Sequence, residues 1–128
     1  MKTILVVDDE LCVRQLYRDL FQDEGYEVVE ADGADAASAS LGSRPIDLVI
    51  LDIRMPGVHG LDLLAAIHRT HPGLPVILCS GLDSLFDSYP VWEAQDQVAG
   101  LFKKPANLAA LLDCVRNALS DPTTVEAR

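Results

Sequence analysis

Five short apolar runs, each separated from the next by a stretch with helical spacing, leave this chain few folds to choose from. The runs lie at residues 3–7, 26–30, 46–51, 75–79 and 99–103. They are largely unbroken rather than alternating, which is how strands covered on both faces read. Between the first two, residues 10–24 carry Val13, Leu16, Tyr17, Leu20 and Phe21 at the spacing of one helix face, with Gly25 placed to stop it. An alanine-rich second helix is expected at 34–41, closed by Gly42. Leu61, Leu64, Ala65 and His68 mark a third that ends before Pro72. Asn107 can cap a last one with the stripe Leu108, Leu111, Leu112, Val115 and Leu119. The expected fold class is α/β: a doubly wound, five-stranded parallel sheet with helices on both faces and right-handed crossovers. The fourth helix is expected to be irregular or shortened, because Pro90 lies inside it and an interior proline costs about 3 kcal/mol. A short helix at 90–97, begun by that proline, and an extended loop or isolated turn at 81–89 fit better.

A length of 128 residues suits one domain, expected over residues 1–120, with 121–128 a flexible tail or linker stub. The net charge of −10 argues against direct nucleic-acid or anionic-membrane binding, both of which need a basic surface. Cys12, Cys79 and Cys114 show no metal-ligand spacing and each sits among apolar residues, which predicts buried free thiols in a reducing compartment. The first apolar run is too short for a signal peptide core, and no stretch approaches the roughly 20 apolar residues of a membrane span. The expected location is the cytoplasm.

In an open parallel sheet the chemistry collects where the strands end at their carboxyl side. Here those ends are Asp8-Asp9, Asp52, Ser80-Gly81 and Lys104-Pro105, which sends three carboxylates, a hydroxyl and an amine to one rim. Carboxylates held close repel, and a hard divalent cation such as Mg²⁺ relieves that while leaving positions for phosphate oxygens. A carboxylate beside such a metal can attack phosphorus, with Lys104 and Ser80 available to meet the developing charge.

With these residues in this order, the chain resembles the receiver domains of the bacterial response-regulator family, from Leu5-Val6-Val7-Asp8-Asp9 through Asp52-Ile53-Arg54-Met55-Pro56-Gly57 to Lys104-Pro105. The resemblance covers nearly the whole chain to about Leu119 and implies the flavodoxin-like receiver fold. It implies a phosphoacceptor switch of a two-component phosphorelay, in which Asp52 takes a phosphoryl group from a sensor histidine kinase, a phosphotransfer protein or a small phosphodonor. Asp9 and Asp52 would ligate Mg²⁺ with the backbone carbonyl of Arg54, Asp8 acting largely through water, while Ser80 and Lys104 would contact the phosphoryl oxygens. Such a protein is a stoichiometric phosphoacceptor that assists its own phosphorylation and dephosphorylation rather than an enzyme. Its readout would be a downstream protein target or a covalent output domain, and a phosphorylation-dependent dimer is compatible with it. Ser80 and Leu101 hold the family's switch positions. Leu101 departs from the usual aromatic there, so a ring flip cannot be the signal.

Each feature has a blander meaning. Asp8-Asp9 favour a helix dipole, Asp52 suits the following turn, and Ser80 could bond only locally; the constellation outweighs these. Lys103 is expected to face solvent while its neighbour Lys104 turns inward. His68 and His71 read as a surface pair near a helix end, His59 as a loop residue near the rim, and Tyr89 with Trp92 as local packing. The competing function is a degenerate receiver serving as a phosphorylation-independent interaction module, suggested by Leu101 and the irregular fourth helix. A phosphatase would want a second acid two residues after Asp52, where Arg54 stands, and a flavin site would want a Gly/Ser/Thr-rich loop after the first strand.

Overall fold

The structure, a computed structural model, describes residues 1–52, 54–55, 58–80, 98–104 and 106–120, with 54, 55, 58–61 and 80 described in backbone only. In chain order the elements are β1 (Thr3–Val7), α1 (Leu11–Asp23), β2 (Glu27–Ala31), α2 (Ala34–Ser43), β3 (Leu48–Asp52), β4 (Arg54–Met55), β5 (Val58–His59), α3 (Gly60–Thr70), β6 (Val76–Ser80), β7 (Val98–Lys103) and α4 (Leu108–Leu119). Five strands pair in parallel in the order β2-β1-β3-β6-β7. That is the doubly wound order of flavodoxin-like sheets, reversing direction between β1 and β3. The expected α/β sandwich is the one found. The short β4–β5 antiparallel ladder, Arg54 opposite His59 and Met55 opposite Val58, is an addition the apolar pattern did not announce.

Every residue of β1 and β3 is buried, as unbroken apolar strands require when helices lie on both faces. Alternation sorts them into two cores. Leu5, Val7, Val49, Leu51, Val76 and Leu78 face α2 and α3. Ile4, Val6, Leu48, Ile50, Ile77 and Cys79 face α1 and α4, where they meet Tyr17, Phe21, Leu111 and Val115. The same alternation positions the rim. Ile4 pairs with Leu48 and Val6 with Ile50, so Asp8 and Asp52 continue that cross-strand row past the last apolar pair. Cys79 pairs with Phe102, and Lys104, two residues on, follows Phe102 to the same face.

The helix ends follow local chemistry. Gly25 takes φ +91°, which glycine adopts at little cost, and the amides of Gly25 and Tyr26 return to the carbonyls of Gln22 and Phe21, closing α1 as expected. Asn107 accepts a hydrogen bond from the Ala110 amide and caps α4, also as expected. Gly42 does not close α2, which runs on to Ser43; the stop comes from Arg44, held extended ahead of Pro45.

Three other expectations are corrected. Leu16 is 49% exposed, because at about 100° per residue it falls outside the stripe centred on Tyr17 and Phe21. The buried face of α3 is Leu63, Leu64 and Ile67, one position round from the predicted stripe, leaving Ala65 and His68 exposed. Of the three thiols only Cys79 is buried; Cys12 lies on the outer face of α1 and Cys114 is half-buried on α4. The short helix and loop predicted for 81–97 and the tail at 121–128 lie outside the described residues.

β7 passes close to α4 at Gly100, where a side-chain Cβ would come within 2.8 Å of Cys114 Sγ and 3.2 Å of the Phe102 ring. Gly100→Ala is therefore predicted to cost about 1–3 kcal/mol by overpacking, read from urea unfolding. Adding Cys114→Ala should restore part of that loss.

Candidate functional site

The rim at the carboxyl ends of β1 and β3 is built around one amine. Lys104 Nζ donates to Asp8 Oδ2 at 2.6 Å and to Asp52 Oδ2 at 3.0 Å, joining residues far apart in sequence. Asp8 and Asp52 are only 2% and 3% exposed, so each would be costly to bury ionised without that cation. Burial of the amine by itself pulls the Lys104 pKa down. The hydrogen bonds that the amine donates to Asp8 and Asp52, together with their charges, outweigh it, and the net shift is upward.

Asp8 is fixed at every polar atom. Its amide donates to Ala31 O at 3.1 Å, continuing the β1–β2 ladder. Oδ1 accepts the Glu10 amide at 2.9 Å, Oδ2 accepts Lys104, and the main-chain carbonyl accepts Arg14 Nη1 at 2.8 Å. Asp9 and Glu10 follow, both exposed, so that one oxygen each from Asp8, Asp9 and Glu10 lies within 4.8 Å of the others. Glu10 also occupies the N-cap position of α1 yet makes no side-chain capping bond. An all-oxygen donor set of this kind suits a hard cation such as Mg²⁺. Asp8, Asp9, Glu10 and Asp52 bring four negative charges to a rim where Lys104 supplies one positive charge, a balance that also favours a divalent cation.

The floor beneath Asp52 is uncharged. Cys79, its register partner on β6, has its thiol pKa pushed up to about 12, chiefly by burial. The Tyr17 hydroxyl is pushed up too, by burial first and then by Cys79 beside it. Both stay protonated at neutral pH, so the buried thiol does not compete with Asp52 as a nucleophile.

Ser80 ends β6 and pairs in register with Lys103, next to Lys104. Arg54 lies two residues past Asp52 in β4. Leu101 pairs with Leu78 and packs, half-buried, against the core on the α2–α3 face. Lys103 is exposed and Lys104 is turned in, as alternation predicted. His68 is exposed, and the His71 ring lies 2.9 Å from the Thr70 hydroxyl. Glu10 and Arg14 were missed from sequence. Glu10 was legible as a third acid after Asp8-Asp9, whereas Arg14 needed the β1–β2 neighbourhood to be known.

A family model described as the response regulator receiver domain matches residues 4–116. The chain belongs to that family: it is a receiver domain of a two-component response regulator. Transcriptional regulatory protein GlrR of Escherichia coli is 34% identical over 125 residues, covering 96% of this chain and 28% of that protein. The aerobic respiration control protein ArcA of Escherichia coli is 38% identical over 120 residues, covering 91% of this chain and 48% of that protein. The chain thus spans less than half the length of these curated relatives. Among solved structures, response regulator protein TrrA from Thermotoga maritima, in complex with Mg²⁺-BeF, superposes with TM-score 0.82 at 34% identity, covering 93% of this chain and 100% of that one. The receiver domain of NtrX from Brucella abortus gives 0.80 at 36% identity, with 91% and 97% covered. Among the described residues no helix is long and apolar enough to cross a membrane.

The amine between the acids sets a pH signature. Lys104→Met leaves two buried carboxylates facing each other and should destabilise the cation-free protein by about 3–5 kcal/mol near neutrality. Because the folded-state pKa of Lys104 is raised, its contribution is complete below the ordinary lysine value of 10.5 and is lost as pH rises through the raised one. On the alkaline side, urea midpoints of wild type and Lys104→Met should therefore stay apart up to the ordinary lysine value and converge as pH rises through the raised one.

Proposed function

We propose that residues 1–120 act as a phosphoacceptor switch, with Asp52 receiving the phosphoryl group and residues 121–128 serving as tail or linker. The observation that carries this reading is the buried Asp52 carboxylate held at 3.0 Å by Lys104 beside an oxygen-donor acid turn. Asp8, Asp9 and Asp52, with the backbone carbonyl of Arg54, would hold Mg²⁺, and Glu10 stands close enough to join the donor set through water. Bound there, Mg²⁺ supplies charge neutralisation for the transferring phosphoryl oxygens.

The chain's own residues do the rest. A carboxylate oxygen of Asp52 attacks phosphorus and a new oxygen–phosphorus bond forms. The bond from phosphorus to the donor's nitrogen or oxygen breaks, and the leaving group keeps the electron pair and then takes a proton from solvent. Lys104 is aimed at the Asp52 oxygen from the start, so it can follow charge from the carboxylate onto the phosphoryl oxygens with little reorganisation. The Ser80 hydroxyl would donate to a phosphoryl oxygen. Its strand pairing with Lys103, and that of Leu78 with Leu101, gives movement at the rim a path along β7. Leu101 would respond by repacking against the α2–α3 core.

The donor would be a sensor histidine kinase, a phosphotransfer protein or a small phosphodonor, in the cytoplasm. The reader would be a downstream protein or an attached output domain. Leu101, packed as a core residue, favours the alternative of a phosphorylation-independent interaction module. The complete Asp8–Lys104–Asp52 arrangement favours the switch, since packing alone gives no reason to bury two acids around one amine.

Intact-protein mass after incubation with a small phosphodonor separates the two. A single Mg²⁺-dependent phosphoryl adduct is expected, labile at alkaline pH and absent in Asp52→Asn. A folded, Mg²⁺-binding wild type that acquires no adduct would move the assignment to the interaction module. Lys104→Ala is expected to keep Mg²⁺ binding while losing the phosphorylation-dependent change in β7, read as backbone amide shifts; normal signalling by that variant would remove the role given to Lys104.

A further inference from the structure

The Asp8 carbonyl lies one step beyond the last rung of the β1–β2 ladder, where the strand turns into the acid segment. A buried carbonyl in that position needs a donor, and here it is a guanidinium. Arg14 sits one turn into α1, and its side chain is only 14% exposed. Nη1 donates to Asp8 O at 2.8 Å, while Nε donates to Glu30 Oε1 on β2 at 3.3 Å. Glu30 is steadied from the other side by Arg18 Nη1 at 3.1 Å. The Arg14 amide also bonds the Glu10 carbonyl at 3.1 Å, so this one residue holds both ends of the three-acid segment.

We propose that Arg14, oriented by Glu30, is a positioning residue that holds the Asp8–Asp9–Glu10 segment in its cation-binding shape. The inference rests on the phosphoacceptor reading only in assuming that the cation is Mg²⁺. Two features separate it from an ordinary surface ion pair. The guanidinium fork spans two different acceptors, one in the segment after β1 and one on β2, which the single ammonium of lysine cannot reproduce. The contact also goes to the backbone of a donor residue, so losing it frees the carboxylates to drift, as with the outer partners of metal ligands generally. Charge alone acts in the opposite direction: removing a positive group beside an acid cluster should strengthen cation binding.

That opposition of sign makes Arg14→Met the decisive variant. Mg²⁺ binding to the whole chain is measured by isothermal titration calorimetry for wild type, Arg14→Lys, Arg14→Met and Glu30→Gln. Arg44→Gln is the control, because Arg44, just past α2, and Glu27, at the start of β2, form an exposed ion pair away from the rim. Arg14→Lys and Arg14→Met are expected to bind about tenfold more weakly, in the range seen for outer-shell losses. Glu30→Gln should weaken binding by a smaller factor, and Arg44→Gln should match wild type. Arg14→Met binding as tightly as wild type, or more tightly, overturns the proposal. If Arg14→Met does not fold, unchanged affinity in both Arg14→Lys and Glu30→Gln overturns it. A wild-type chain that takes up no Mg²⁺ overturns the cation reading together with this proposal, whereas wild-type binding that the variants equal overturns this proposal alone.

Discussion

The rest of the site depends on one cation held between two buried acids. Lys104 lies within hydrogen-bond reach of both Asp8 and Asp52, and those carboxylates are almost completely removed from water. Removing either acid would leave the amine with one partner, and removing the amine would leave two like charges in a low dielectric. The arrangement is also poised: one carboxylate oxygen of each acid is committed to Lys104, and the pair retains a net negative charge. A divalent cation would relieve that imbalance and would also offset the further negative charge that a phosphoryl group brings.

The fold exists in a form that lets this happen. β1 and β3 are adjacent, parallel and in register, so their apolar pairs Ile4–Leu48 and Val6–Ile50 lead directly to the acids at the rim. β7 reaches the same place through β6, and the inward parity of Phe102 is passed on to Lys104. The aliphatic core and the acid site are consecutive stretches of the same strands. The neutral Tyr17 hydroxyl and Cys79 thiol form the boundary between them, keeping ionised groups at the rim and out of the interior.

Much of this was legible in the sequence because it rests on short-range pattern. Residues 3–7 read as β1 to the residue, and Asn107 as a cap, since unbroken apolar runs and capping side chains act locally. Asp8, Asp52 and Lys104 were legible as a set because strand ends in a parallel sheet share a rim. What escaped depended on rotation or on neighbours. The buried face of α3 was placed one residue off, and Leu16 was put inside, because a one-position error on a helix turns its stripe by about 100°. Gly42 was read as a stop although the pre-proline Arg44 supplies it. Arg14 carried no signal of its own: its contacts with Asp8 and Glu30 exist because β2 lies beside β1, which is known only once strand order is known.

The most direct measurement is a crystal structure of the chain grown with Mg²⁺ and beryllofluoride, a mimic of the phosphoryl group. The account predicts the mimic on a carboxylate oxygen of Asp52, with Lys104 turned from Asp8 toward its fluorines and Mg²⁺ among the carboxylates of Asp8, Asp9 and Asp52. Beryllofluoride on another acid, or an Asp52 that stays paired with Lys104 while Mg²⁺ and the mimic are excluded, would contradict it.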